Sequence, residues 1–326
     1  MKKLYNIIAA IALASAITAS AQSDGGEVIA GVYTYSAVQN GVPLSFHHNH
    51  IVYENIGQSS VIAPNVFKAK AIWGTDHQFK GPLVIPTHVR IGIYTFDVDR
   101  ISSAAFQQTE VTSVVIKAGV HSIPQNCFNF CDKLETVRLE SSDIHFIDNA
   151  AFNGCIKLRS INLPAGMKRI GDYAFRECLK LEEIIIPKNV AEIGPYAFNR
   201  CKSLRSLTFH TGHFRTIPEY CFQTCESLRD VKIPEGVSTL GECSFNQSGL
   251  RSITLPSTMR RIESNALSET PITDIYCHAM TPPWVAPNFT YEQCAVIRVH
   301  VPAAAVEAYR TDSFWHNFPN IMKIED

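Results

Sequence analysis

A seven-residue pattern, Phe-x-x-Cys-x-x-Leu, returns through the middle of this chain and restricts its fold more than any other feature. The cleanest copies are Phe152, Cys155 and Leu158; Phe175, Cys178 and Leu181; and Phe198, Cys201 and Leu204, one every 23 residues. A unit that returns in register signals a stacked repeat rather than a single globular core. With the phenylalanine as origin, the anchors are Phe106, Phe128, Phe152, Phe175, Phe198, Phe222 and Phe245, with Leu267 in the eighth place. Three residues on stand Cys131, Cys155, Cys178, Cys201 and Cys225, replaced in the outer copies by Thr109, Ser248 and Thr270.

Each motif leads into two alternating apolar positions, such as Ile161 and Leu163, Ile184 and Ile186, or Val231 and Ile233. Period-two alternation predicts a short strand with one face inward. Proline follows at Pro164, Pro187, Pro234 and Pro256; it has no N–H to give and turns the chain off the ladder. A one-turn helix or similar segment then carries the phenylalanine inward. A lone coil of this kind buries too little apolar surface to offset its ordering, so stacked neighbours must complete it. After Leu139 and Phe209 the proline is missing, Glu140 and His210 stand there, and one residue is inserted. Those two coils are expected to bulge.

The run from Ala151 to Pro164, Ala-Phe-x-x-Cys-x-x-Leu-x-x-Ile-x-Leu-Pro, resembles the BspA-type leucine-rich repeat of bacterial surface and secreted proteins. The resemblance spans about residues 80 to 302. It extends to the ending, where Tyr276-Cys277 leads to Thr281-Pro282-Pro283, a strand up to Val301 and an amphipathic segment before Phe314-Trp315. The resemblance implies a leucine-rich repeat solenoid with one short β-strand and a short helical turn per coil of about 23 residues. It also implies an exported location, a role in binding or adhesion, and no catalytic residues. The expected division is a signal peptide at 1–21, a β-rich N-terminal cap at 22–100 grading into the first coil, a solenoid at 101–277 and a C-terminal cap at 278–326.

Lys2 and Lys3, an apolar stretch from Ile7 to Ile17, and Ala19-Ser20-Ala21 form a secretory signal with cleavage after Ala21. The destination is the cell surface, the medium or the periplasm of a bacterium. Removal of both lysines takes the formal net charge from −1 to −3. A near-neutral exported chain lacks the concentrated basic field a nucleic-acid partner would need. No later stretch is apolar enough to insert into a membrane, and the protein is expected to be a monomer. Val28 to Val38 and Val61 to Trp73 are β-branched and aromatic, which favours strands before the repeats. Leu83-Val84-Ile85-Pro86 reads as the strand-plus-proline part of a coil. His47, His48 and His50 are clustered, but no Cys, Asp or Glu pattern completes a metal site, and a polar loop is expected. Cofactors and metals are expected to be absent.

Five of the ten cysteines share one repeat position. Neighbouring strands sit about 4.8 Å apart, and parallel Cβ vectors keep that separation, whereas a disulfide needs roughly 3.5–4.5 Å. Buried free thiols are expected there, as at Cys127 and Cys221; Cys277 and Cys294 lie outside the column and are the pair most open to bridging. Nucleophile and phosphate-loop motifs are missing, and Glu182 and Glu183 are adjacent on a strand, so they point to opposite faces. No catalytic residues are assigned.

The outward strand positions carry the functional expectation. One column reads Val115, Arg138, Asn162, Ile185, Thr208, Lys232, Thr254 and Tyr276; a second, beginning two residues earlier, reads Ser113, Thr136, Ser160, Glu183, Ser206, Asp230, Ser252 and Asp274; a third repeats Arg159, Arg205, Arg229 and Arg251, interrupted by Glu135 and Glu182. Such a face can be a solvated sheet with cross-strand charge pairs or a ligand platform. The candidate contacts are Arg138, Asn162, Ile185, Lys232 and Tyr276, toward a host or bacterial protein or a polysaccharide. Trp284, in Thr-Pro-Pro-Trp, is expected to pack into the cap. The function expected is non-enzymatic binding or adhesion by an exported protein. The alternatives are a structural cell-envelope component without a specific ligand and, less favoured, a glycan-active enzyme.

Overall fold

The computed structural model describes residues 34–39, 42–48, 51–58, 66–72, 79–91, 93–117, 119–210 and 213–325; the signal segment and His50 lie outside them. Within these residues the chain winds into a parallel β-solenoid. The alternating apolar pairs form one ladder, with strands Lys80–Ile85, Glu110–Ile116, Thr136–Leu139 and Ser160–Ile161, then Glu183–Ile186 and Ser206–Phe209, then Asp230–Lys232, Ser252–Leu255, Asp274–Cys277, Arg298–Val301 and Asn320–Lys323. Pairing is in repeat register, for example Val137 with Ile161 and Ile253 with Ile275. Lys80–Ile85 pairs in parallel with Glu110–Ile116, so the Leu83-Val84-Ile85 segment is a coil strand, as its sequence indicates.

A second ladder of two-residue strands runs along another side of the coils. Ser122–Ile123, Phe146–Ile147, Arg169–Ile170 and Glu192–Ile193 pair in sequence, and Thr216–Ile217, Thr239–Leu240, Arg261–Ile262 and Trp284–Val285 continue the series. The isolated apolar residues after each proline, such as Ile170 and Ile193, are the inward positions of these strands.

The segment carrying each phenylalanine is a pair of tight turns. The residues two before and two after each anchor have positive φ, for example Tyr173 (57°) and Glu177 (60°) around Phe175. Left-handed backbone costs a residue with a Cβ about 1–2 kcal/mol. Here the N–H groups at the two left-handed positions and at the anchor reach carbonyls of the next coil: Tyr173 to Pro195 (3.0 Å), Phe175 to Ala197 (2.8 Å) and Glu177 to Asn199 (2.8 Å). The residues between them close local turns, Ala174 to Gly171 and Arg176 to Tyr173. The turn edge is therefore a third hydrogen-bonded wall, and its left-handed residues are held by the stack.

The core fills the space between the walls. Phe106, Phe128, Phe152, Phe175, Phe198, Phe222 and Phe245 are fully buried and stack at 5.2–5.4 Å, with ring planes within 13°. Beside them the thiols of Cys131, Cys155, Cys178, Cys201 and Cys225 donate to the carbonyl of the preceding coil's phenylalanine at 3.0–3.4 Å. Cysteine is small enough to fit and still supplies a weak donor. All ten cysteines are free and buried, Cys277 and Cys294 included.

The first lengthened coil is followed by a strand cut to Ser160–Ile161. Asn162 then substitutes its side chain for backbone: Leu139 N donates to Oδ1 at 2.9 Å and Nδ2 donates to Leu139 O at 3.0 Å. In the second, Phe209 packs on Phe214 and edge-on to Phe222, and the ladder segment ends at Ser206–Phe209.

The two ends close the stack differently. Six strands form a mixed N-terminal sheet in the order Thr34–Gln39, Val42–His48, Ile51–Gln58, Val66–Ile72, Tyr94–Ile101, His88–Ile91. His47 and His48 belong to a hairpin, opposite Val52 and Ile51, not to the polar loop expected. At the other end Trp315 is buried, with Nε1 donating to Pro283 O at 2.9 Å, and the Tyr309 hydroxyl donates to Ala279 O at 2.9 Å. Trp284 does not pack into this cap; it is 54% exposed. It occupies the outward position of a two-residue strand, opposite Arg261. Trp315, four residues after the end of a helix (Val306–Thr311), is the tryptophan buried in this cap.

Candidate functional site

The proposed platform residues share one outward column, but their surroundings differ. Arg138 pairs with Glu140 at 2.9 Å. The amide of Asn162 is committed to the Leu139 backbone. Ile185 is 44% exposed, and Lys232 is exposed, opposite Thr254. Tyr276 lies against the ring of His300, with centroids 4.2 Å apart and planes within 11°. The column continues past Tyr276 to His300 and Met322, positions the sequence reading did not include.

Beside Tyr276 the strand face carries a built electrostatic cluster. Asp274 accepts from Arg298 Nη2 at 2.6 Å and from Thr273 at 2.9 Å, and its other oxygen lies 3.0 Å from His300 Nε2. Burial alone would raise this carboxyl. The hydrogen bonds from Arg298, His300 and Thr273 outweigh burial and bring its pKa down to about 2. Further along, Glu182 bridges Arg205 (2.5 Å) and Arg159 (3.8 Å), and Arg229 donates to the carbonyls of Glu226 and Gly249. Much of the arginine column is thus spent within the sheet.

The turn edge holds a feature that sequence reasoning overlooked. Tyr173, Tyr196 and Tyr220 occupy the same position, two before the anchor phenylalanine, and their rings stack at 4.9 and 4.6 Å. The signal was present as Tyr-Ala-Phe, Tyr-Ala-Phe and Tyr-Cys-Phe at the repeat spacing. Alongside runs an amide row: Asn199 Nδ2 donates to Gln223 Oε1 at 2.9 Å and Gln223 Nε2 to Asn246 Oδ1 at 3.0 Å. An open groove of about 500 Å³ lies over these rows, lined by Tyr173, Tyr196, Asn199, Gln223, Thr224 and Gln247, together with Arg176 and Arg200. Glu177 stands 3.0 Å from Arg176 and 3.8 Å from Arg200.

A second exposed aromatic–cation pair lies on the face of the short strands, where the Arg261 guanidinium sits 4.6 Å from the Trp284 ring centroid. The thiols offer no nucleophile. Burial pushes Cys131 up to about 11 and raises Cys155, Cys178 and Cys201 well above the ordinary thiol range, so the thiolate form is suppressed. Among the described residues no group of three or more His, Cys, Asp or Glu could hold a metal ion, and no helix is long and apolar enough to cross a membrane.

The sequence matches the BspA type leucine rich repeat region, in six copies, over residues 99–213, 145–273 and 215–315. Among solved structures, a leucine-rich repeat protein from Bacteroides ovatus superposes with a TM-score of 0.56 at 23% identity, covering 86% of this chain and 76% of that one. The T. pallidum leucine rich repeat protein gives a TM-score of 0.46 at 23% identity over 56% of this chain and 86% of that one. A leucine rich cell surface protein from Faecalibacterium prausnitzii gives 0.35 at 19% identity, over 87% and 96%. No curated protein matches the chain. The Bacteroides ovatus structure supports the solenoid fold, and the family match covers every coil from the second strand of the main ladder to the C-terminal closure: the chain belongs to the BspA-type leucine-rich repeat family.

Proposed function

We propose that this is an exported, non-enzymatic binding protein that engages a macromolecule through outward positions of the solenoid. The observation that carries the reading is the division of side chains. The repeated residues point into one continuous core, while the strand face presents a column that changes from coil to coil. Regular solenoid faces of this kind suit extended partners. Within the column, Arg138, Ile185, Lys232 and Tyr276 offer side chains to a partner; Asn162 supports the face through Leu139. The leader-like start of the chain and the family's surface and secreted members favour action outside the cytoplasm.

A structural spacer in the envelope is the second reading, favoured by the internal pairing of Arg159, Glu182 and Arg205. An array of glycans and matrix proteins separates the two. The binding reading expects a reproducible partner whose signal falls when Arg138, Asn162, Ile185, Lys232 and Tyr276 are replaced together. A silent array favours the spacer, and a partner indifferent to all five substitutions removes the strand face from the proposal.

A further inference from the structure

The C-terminal end of the strand face holds a histidine whose hydrogen-bonding state its neighbours fix. His300 lies on the strand Arg298–Val301, with Tyr276 opposite it on one side and Met322 on the other. Its Nε2 lies 3.0 Å from Asp274 Oδ1, and its ring stacks on that of Tyr276. Asp274 takes further hydrogen bonds from Arg298 and Thr273 at its other oxygen. With a pKa of about 2, it is a carboxylate at any pH above about 4, and a carboxylate accepts hydrogen bonds and donates none. The hydrogen between the two groups therefore sits on Nε2. A neutral imidazole carries a single N–H, so Nδ1 is left with a lone pair and acts as an acceptor.

Nδ1 has no hydrogen-bond partner among the described residues and is not closed off from solvent. Around it the strand face offers chiefly donors: the ammonium of Lys232, the guanidinium of Arg298, 55% exposed, and the hydroxyls of Thr254 and Tyr276. An outward acceptor is thus a distinct feature of this spot. Protonation would place a second N–H on Nδ1 and a positive charge on the ring. The acceptor becomes a donor, while the Nε2 contact to Asp274 and the stack on Tyr276 need not break. Imidazole is the side chain suited to such a change between about pH 5 and 8. The titratable or charged groups facing this ring are Asp274 and Tyr276 from the preceding strand, Arg298 on its own strand and Lys323 on the last. None of them is an imidazole, and Asp274 is already ionised across that range.

We infer that His300 is a pH-gated contact of the strand face: its Nδ1 accepts a hydrogen bond from a hydroxyl or N–H of the bound partner beside Tyr276, and protonation of the ring releases that partner. The inference rests on the reading of the strand face as the binding surface, and adds to it one residue and the condition under which binding is lost. Nitrogen-15 NMR of the histidine rings, combined with affinity for the array partner at pH 7.5 and 5.5, tests it. At pH 7.5 His300 is expected to be the Nε2–H tautomer. The partner is expected to bind at least tenfold more weakly at pH 5.5, and the loss should follow the NMR titration of His300, with the melting temperature showing the protein folded at both values.

His300→Gln, which keeps an acceptor and does not titrate, is expected to bind equally at the two pH values within about twofold. His300→Phe, which keeps the stack and has no ring nitrogen, is expected to bind at both as weakly as the unsubstituted protein does at pH 5.5. If both variants fail to fold, the unsubstituted protein still decides through the match between affinity loss and the His300 titration. The inference is overturned by an Nδ1–H tautomer, by a partner that needs the strand face yet binds equally at both pH values, or by a pH step that persists in His300→Gln. A silent array, or a partner indifferent to the five strand-face substitutions, removes the strand-face reading and this inference together.

Discussion

The strand face and the turn edge belong to the same coils but hold their outward side chains in different ways. On the strand face the backbone ladder carries the stack, and each outward residue can differ from the next, as Ile185, Thr208 and Lys232 do. Order there arises locally, where a charge finds a partner, as in the Asp274, Arg298 and His300 cluster. On the turn edge the backbone is left-handed at two positions per coil, and in the middle coils like side chains lie over like at the first of them. Tyrosine stacks on tyrosine and amide donates to amide. A stack of equal steps thus yields a variable surface on one wall and a repetitive, pre-ordered one on another.

Substitutions that break one wall at a time sharpen this difference. The largest loss is expected behind the turn edge. Phe175→Ala removes a ring stacked between Phe152 and Phe198, and urea unfolding should register a cost of about 3–5 kcal/mol. A loss below about 1 kcal/mol would mean that the phenylalanine column is not the core. Next is the approach to the turn edge. A Cβ on Gly171 would lie 2.7 Å from backbone atoms of Asp148 and Asn149, so Gly171→Ala should cost about 1–3 kcal/mol in the same assay. A neutral result would show that the coils have room to shift.

On the strand face the expected signature is acid sensitivity. The folded-state pKa of Asp274, about 2, lies below the value near 3.9 of an unfolded aspartate. The group therefore contributes stability above about pH 4 and loses that contribution as pH falls toward 2. Thermal unfolding of Asp274→Asn should show a deficit on the order of 1 kcal/mol at neutral pH that narrows across this window. A deficit that stays constant with pH would separate the cluster from the charge of Asp274. The smallest effect is a gain. Thr224 is β-branched at a φ of 58°, and Thr224→Gly should raise stability by up to about 1 kcal/mol by relieving left-handed strain.

The two walls were also unequally legible in the sequence. The strand face follows from alternation: Ile184 and Ile186 inward, Ile185 outward, with register set by the repeat. The turn edge was concealed because its left-handed positions carry Ala, Asn, Gln, Phe, Tyr, Glu, Arg, Thr and Cys, with glycine only at Gly154. Without glycines, the segment around Phe175 resembles a helical turn. The left-handed geometry depends on hydrogen bonds to the next coil, which no single repeat displays. For the same reason the tyrosine row was visible as residues but not as a surface. Trp284 did not take its expected place in the cap because proline flanks say nothing about which side of a two-residue strand a residue occupies. Asn162 lay in the predicted column, yet its amide turned inward on Leu139, a use that only the shortened strand after the lengthened coil explains.

What the motif repeats, the Phe, Cys and Leu of each coil, lies inside the solenoid. Thiol alkylation followed by mass spectrometry, without reductant and in native and urea-unfolded protein side by side, tests it most directly. The expected result is no rapid modification of the native protein and ten alkylated cysteines after unfolding, in keeping with ten free, buried thiols. Native-state labelling of Cys155, Cys178 or Cys201, or fewer than ten alkylated thiols in urea, would contradict it.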